Sequence, residues 1–210
     1  MSLVDECIAA YGGLDRWRSA EAVEVRLAVR GLAFGMVGRY RLMRSTRAWV
    51  STAGQRVEFL DWPESGKAGV LTSEEARIGA SRRAVPRWGR RWDDLDALAF
   101  AGAALWTYVA LPFVLADWGA EELQGRRLRF RVPQGIRSHC REQTLHLDER
   151  DLIVRHDYTA ESLGRWARAA HRSTAFQTFE GLPVPTRRRV RLGPVGPVVV
   201  KVDVESARYV

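Results

Sequence analysis

Residues 97–116 read ALAFAGAALWTYVALPFVLA, 20 consecutive positions without a charge in a chain that is 28% charged overall. A run this long must be buried in a bilayer, in the protein's own core, or against an apolar ligand. Length alone permits a membrane span, but eight of the 20 residues are Ala or Gly, which contribute little transfer free energy. Acidic residues crowd both flanks: Asp93, Asp94 and Asp96 before the run, Asp117, Glu121 and Glu122 after it. A single span would also leave two large polar halves on opposite sides of a membrane. Pro112 disfavours helical geometry at Leu111 and removes a backbone donor. The run therefore predicts a helix from about Leu95 to Ala110, a break, and a short piece from Phe113 to Trp118. Phe100, Ala104, Tyr108 and Leu111 share one face of the first piece, and Leu98, Leu105 and Val109 a neighbouring one. Trp106 projects from another side. A helix that is apolar all round belongs in an interior.

At 210 residues the chain can bury a sizeable core without disulfides or metal staples. Its two cysteines, Cys7 and Cys140, are too few for a disulfide framework and match no metal spacing. They read as free, buried thiols. The opening MSLVDECIAAYGG has neither a basic n-region nor an apolar h-region, so a cytoplasmic location is expected. Net charge is +8 and the pI is near 10.3, with arginine supplying 31 of 33 basic residues. Such a surface attracts anionic partners. Arg82-Arg83, Arg87 to Arg91 with Trp88 and Trp92 interleaved, and Arg187-Arg188-Arg189 with Arg191 are the clusters. Arg and Trp together can stack on bases and neutralise phosphates. No helix-turn-helix, zinc-finger or RNA-binding signature accompanies them, so solvated strand faces are the preferred account and nucleic acid the lesser one.

Ser2 with Asp5 forms an N-cap signal for a short helix that ends at Gly12-Gly13. From Val23 the period becomes two: Val23, Val25, Leu27 and Val29 alternate with Glu24, Arg26, Ala28 and Arg30. A turn around Gly31 to Gly35 and a second strand through Arg39 to Leu42 follow. Further strands are expected at Ala48–Thr52, Gln55–Trp62, Lys67–Thr72 and Glu75–Gly79. After the apolar run, Leu128, Phe130 and Val132 alternate with Arg127, Arg129 and Arg131. Strands follow at Cys140–Leu147, Leu152–Tyr158, Ala167–Phe179, Thr186–Leu192 and Val198–Arg208. Nine to eleven strands with short turns make an antiparallel meander. One domain over residues 1–210 is expected: a helical cap (1–18), a first meander (22–80), a buried helical insertion (92–118) and a second meander (126–208). A long meander with one apolar face must curl and cover that face. The fold class is therefore β-rich (α+β): one strongly curved antiparallel sheet, open on one side, with an N-terminal helix and the apolar helix plugging the concave face.

Catalytic signatures are absent: the chain contains no GxSxG, HExxH, P-loop or GxGxxG. His139 and His146 lie seven residues apart, on opposite faces if they share a strand, a poor metal pairing. No metal and no cofactor is expected. Asp157 with Arg155 shares a face and reads as a surface or edge ion pair. His156 and His171 can meet across strands, which keeps an enzyme using that pair as the alternative to a non-catalytic role.

Three segments carry a family resemblance. The opening helix ends in AYGG and leads into the strand AVEVRLAVRG. The hairpin LHLDERDLIVRHDY runs out to Arg155, Asp157 and Tyr158. FEGLPVPTRRRVRL leads through a turn and Pro-Thr into a basic penultimate strand. In this order they resemble the LolA-like and LppX-like lipoprotein carriers and lipid-binding relatives. That resemblance implies a half-barrel whose helix-plugged concave face takes acyl chains. It implies a pocket built from Phe100, Leu105, Trp106, Tyr108, Val109 and Phe113, with Trp49, Phe59, Phe130 and Tyr158 from the strands. The expected function is non-catalytic binding of a hydrophobic or acyl lipid-like ligand, as carrier or sensor. Arg87, Arg90 and Arg91, just before the helix, are the expected head-group rim, and peripheral contact with an anionic membrane is a further expected partner.

Overall fold

The computed structural model describes residues 1–39, 43–63, 66–88, 91–193 and 196–210. The first half of the chain holds helices α1 (Leu3–Ala10) and α2 (Leu14–Ser19), strand β1 (Ala22–Arg30) and the short helix α3 (Leu32–Met36). Strands β2 (Thr46–Ser51), β3 (Arg56–Phe59), β4 (Gly69–Thr72), β5 (Ala76–Ile78) and β6 (Ser81–Arg83) follow. Then come α4 (Asp94–Ala110) and α5 (Leu115–Trp118). The second half consists of β7 (Glu121–Leu123), β8 (Arg127–Arg131), β9 (Glu142–Leu147), β10 (Ile153–Thr159), β11 (Arg168–Phe179), β12 (Leu182–Leu192) and β13 (Val198–Tyr209).

All thirteen strands belong to one antiparallel sheet in the order β6-β5-β4-β3-β2-β1-β13-β12-β11-β10-β9-β8-β7. The first and last strands pair at its centre, with Val23 opposite Tyr209 and Arg30 opposite Lys201. The two edges, β6 and β7, are therefore the strands that flank the helical segment in the chain. The sheet is not closed; it curves into a half-barrel, and α4–α5 is the connection that carries the chain from one edge across the concave face to the other. Seventeen residues at 1.5 Å each give α4 a length of about 25 Å, enough for that crossing.

The strand number exceeds the nine to eleven expected because β6 and β7 are three-residue edge strands too short to show a period in sequence. The turn expected at Gly31 to Gly35 is instead the helix α3. The expected strand through Arg39 to Leu42 falls largely on residues 40–42, outside the described residues.

Local signals explain the helices. Ser2 caps α1: its hydroxyl accepts from the Asp5 N–H at 3.1 Å, and the Asp5 carboxylate accepts from the Ser2 N–H at 3.1 Å. Asp93 and Asp96 make the same reciprocal box at the start of α4. Leu111 adopts extended geometry ahead of Pro112, and α4 ends at Ala110. No described helix is long and apolar enough to cross a membrane. The apolar run is core instead, with Ala97, Leu98, Ala103, Trp106 and Ala110 all buried. Cys7 and Cys140 are buried free thiols, and burial pushes the Cys7 pKa up to about 12.

Candidate functional site

The helix α4 does not fill the concave face evenly. Its close approaches are to β2, β3, β4 and β5. Gly102 permits the approach to β4, since a Cβ there would sit 2.7 Å from Leu71 Cδ2. Trp106 fixes the rotation of the helix on that side: its indole N–H donates to the carbonyl oxygens of Gly54 (3.0 Å) and Ser51 (3.2 Å). The N-terminus is anchored as well. Arg83 reaches Asp93 at 2.6 Å and the buried Asp96 at 2.8 Å, while Arg87 reaches Asp93 at 2.6 Å. The Arg83 hydrogen bond holds the Asp93 carboxyl well below the usual carboxylate range.

On its other side α4 stands off the sheet, and an apolar cleft runs between the helix and the inner faces of β1, β12 and β13. Leu105, Tyr108 and Val109 border it from α4; Val23, Val25, Leu27, Val202 and Val204 border it from the central strands. Toward α3 it continues past Phe100, Ala101 and Ala104 to Phe34, Met43, Tyr158 and Val190. Leu27, Leu105, Tyr108 and Val202 line both parts. The two parts enclose about 50 and 70 Å³ for water-sized molecules, room for only a few waters.

A polar cluster lies at the middle of this cleft. The hydroxyls of Tyr108 and Tyr158 are 2.9 Å apart. Behind them are three buried histidines, His139, His156 and His171. His156 and His171 are direct partners across β10 and β11, the pairing that the sequence allowed, with ring centroids 6.2 Å apart. The His156 ring shares a hydrogen bond with Gln143 Oε1 at 2.6 Å, whereas neither nitrogen of His139 or His171 has a partner. Burial lowers the pKa of His139 to about 4 and of His156 to about 3, and drives that of His171 well below 6.5. All three rings are neutral at pH 7. Arg155 and His146 hold Asp157 on the outer face at 2.7 and 2.9 Å, the ion pair expected there. Among the described residues no group of His, Cys, Asp or Glu is arranged to hold a metal ion.

The sequence-derived pocket residues separate into three sets. Phe100, Leu105, Tyr108, Val109 and Tyr158 meet at the cleft. Phe59, Trp106, Phe113 and Phe130 are buried away from this cleft: Phe59 packs on Trp62, Phe113 stacks on Trp17 at 4.5 Å, Phe130 lies against Trp118, and Trp106 and Phe113 border a separate groove with Leu14 and Thr52. Trp49 is on the outer face, paired with Glu24 and Glu58, because Ala48 and Val50 occupy the inward phase of β2. Arg87 and Arg91 are exposed, and neither borders the cleft; Arg87 is committed to the α4 cap. Arg90 lies outside the described residues. Sequence reasoning missed Tyr11 and Arg188, which both line the cleft. The signal was present: in LPVPTRRRVRL, Leu182, Val184, Arg188 and Val190 share one strand phase, so Arg188 points inward while Arg187 is solvent-exposed.

Among solved structures, a LolA superfamily protein from Nitrosomonas europaea superposes with a TM-score of 0.55 at 13% identity, over 95% of this chain and 91% of that one. The chain has a LolA-like fold. A DUF1329 family protein from Desulfovibrio piger matches this LolA-like sheet with a TM-score of 0.54 at 13% identity, over 100% of this chain and 94% of that one. The Mycobacterium tuberculosis lipoprotein LppX reaches a TM-score of 0.31 at 12% identity, too low to carry an argument. No protein family model matches the sequence, and neither does any curated protein.

Proposed function

We propose that the protein binds the hydrocarbon tail of an acyl lipid-like amphiphile in the cleft between α4 and the centre of the sheet. It would release the ligand unchanged, as a carrier or sensor. One observation carries the reading: Leu105, Tyr108 and Val109 remain half-buried along one stripe of a helix that is otherwise mostly buried, and that stripe borders the cleft. The LolA-like fold supports it, since the resemblance to that family implies a concave face that takes acyl chains. The cleft is too narrow for a long chain as it stands, so uptake moves α4 away from β12 and β13. Burying a dozen methylenes contributes about 10 kcal/mol at ~0.8 kcal/mol each, enough to offset several side-chain contacts of α4 worth roughly 1.5–3 kcal/mol apiece. Peripheral membrane contact belongs to the same reading, because Leu32 and Met36 project into solvent from α3 beside the cleft-lining Phe34.

The test is native mass spectrometry of protein purified without detergent, with organic extraction of what co-purifies. A lipid-mass adduct, lost in a cooperatively folded Leu105→Trp variant that fills the cleft, supports the proposal. A clean protein mass, with no uptake of oleate or phospholipid offered in excess, overturns it.

A further inference from the structure

Arg188 is the only charged residue that borders the cleft among the described residues. It projects from the inner face of β12 and lies over the Tyr108 ring, 5.4 Å from its centroid. Its neighbours on the adjacent strands are Ser173 and Val202, and no described carboxylate lies within 4.0 Å of its guanidinium. Arg189, one residue on, faces the other way and pairs with Asp203 at 2.7 Å. An arginine half-buried among valines and leucines, with an aromatic face as its only described side-chain partner, costs folding stability. Burial accordingly lowers its affinity for its proton.

The groups around it are donors. The Tyr11 hydroxyl accepts from the Ile153 N–H at 3.2 Å, which leaves its own proton to donate. The Tyr108–Tyr158 pair consumes one hydroxyl proton and leaves the other. Beneath Tyr108, edge-on with centroids 4.6 Å apart, His171 is fully buried with both nitrogens unpartnered. A cation and two phenol donors therefore line one apolar cleft that holds no anion among the described residues. Such an arrangement is complementary to a compact anion carried on an apolar tail.

We propose that Arg188, with the hydroxyls of Tyr11 and Tyr108, is the head-group site of this cleft. Its ligand is then a long-chain amphiphile with a single compact anionic head, a carboxylate or a phosphate, bound with its head against β12. This rests on the lipid-binding reading above and specifies the ligand class for it. The unpaired arginine is then retained for recognition at a cost in the stability of the free protein.

Titrating the full chain with oleate, oleyl phosphate and oleyl alcohol separates head from tail, because the three share one chain. The wild type should bind at least one of the anions about tenfold or more tighter than the alcohol, the size expected of a charge-assisted hydrogen bond. Which anion binds tighter identifies the head. Arg188→Met should abolish the preference for anion over alcohol and raise the melting temperature of the ligand-free protein. Arg188→Lys should restore part of the preference. Equal wild-type affinities for anion and alcohol overturn the head-group assignment while leaving the cleft reading intact. So does a preference that survives Arg188→Met, or survives Arg188→Gln should the Met variant not fold. Failure of all three amphiphiles to bind removes the cleft reading itself.

Discussion

The neutral histidines make the stability of this protein dependent on pH. His139, His156 and His171 have folded-state pKa values lowered from 6.5 by burial, to about 4 for His139, about 3 for His156 and well below 6.5 for His171. The unfolded chain takes up protons near pH 6.5 and the folded chain does not. Stability is therefore full above about pH 7 and falls as pH drops through the window from 6.5 towards 4. Each histidine contributes roughly 1.4 kcal/mol per pH unit in that window. Asp93, held far below the usual range by Arg83, stays ionised throughout and does not offset the loss. Urea unfolding at pH 7.5 and 5.5 should differ by about 4 kcal/mol, and His171→Phe should remove about a third of that difference. A flat profile would contradict burial of the three rings in the neutral form. The sequence allowed His156 and His171 to meet, since each lies in an expected strand, but only the register of β10 on β11 pairs them. His139 was not legible beforehand, because it enters the core from a loop, where no period applies.

At the scale of elements, the concave face is held shut by a loop as well as by a helix. Residues 133–141, between β8 and β9, reach across to the first half of the sheet. The Gln55 side chain donates to the Arg137 carbonyl and accepts from the Arg137 N–H, both at 2.7 Å. The Arg137 guanidinium donates onward to the carbonyls of Glu74 and Ala84. Gln55→Ala should cost about 2–3 kcal/mol in equilibrium unfolding, one net hydrogen bond of about 1–1.5 kcal/mol on each side; a loss under 0.5 kcal/mol would show that the strap is dispensable. The helix α3 plays the opposite part. Leu32 and Met36 are 62% and 54% exposed, with Arg30 and Arg44 exposed nearby. Sedimentation with vesicles rich in anionic lipid should fall several-fold for Leu32→Ser/Met36→Ser. Unchanged sedimentation would remove α3 from the membrane reading. The sequence placed a turn where α3 lies, because five residues are too few to display a helical period.

Across the whole molecule, stability is expected to grade from centre to edges. β1 and β13 lie at the centre of the sheet with a neighbouring strand on each side, whereas β6 and β7 are short edges. Amide exchange should be slowest in β1 and β13, fastest in β6 and β7, and oleate should alter protection in α4 more than in β3 to β5. Uniform protection, or a ligand effect confined to the edges, would contradict both the topology and the cleft. The chain by itself determined what neighbours in sequence can determine. Alternation from Val23 and from Leu128 set the strands, reciprocal caps at Ser2 and Asp93 started two helices, and Pro112 ended α4. The absence of charge over 97–116 made that segment interior. Tertiary structure decided which groups from distant parts of the chain meet. Val23 pairs with Tyr209 because the first and last strands, remote in sequence, meet at the centre of the open sheet. Trp106 and Gly102 press α4 against β2 to β5, and that rotation decides which apolar residues are packing and which line a cleft. The same rotation brings Tyr108 under Arg188, the contact on which the ligand's charge depends. Periodicity gives the phase of a side chain within its own element; the partner it meets is fixed only when the sheet curls and the helix docks.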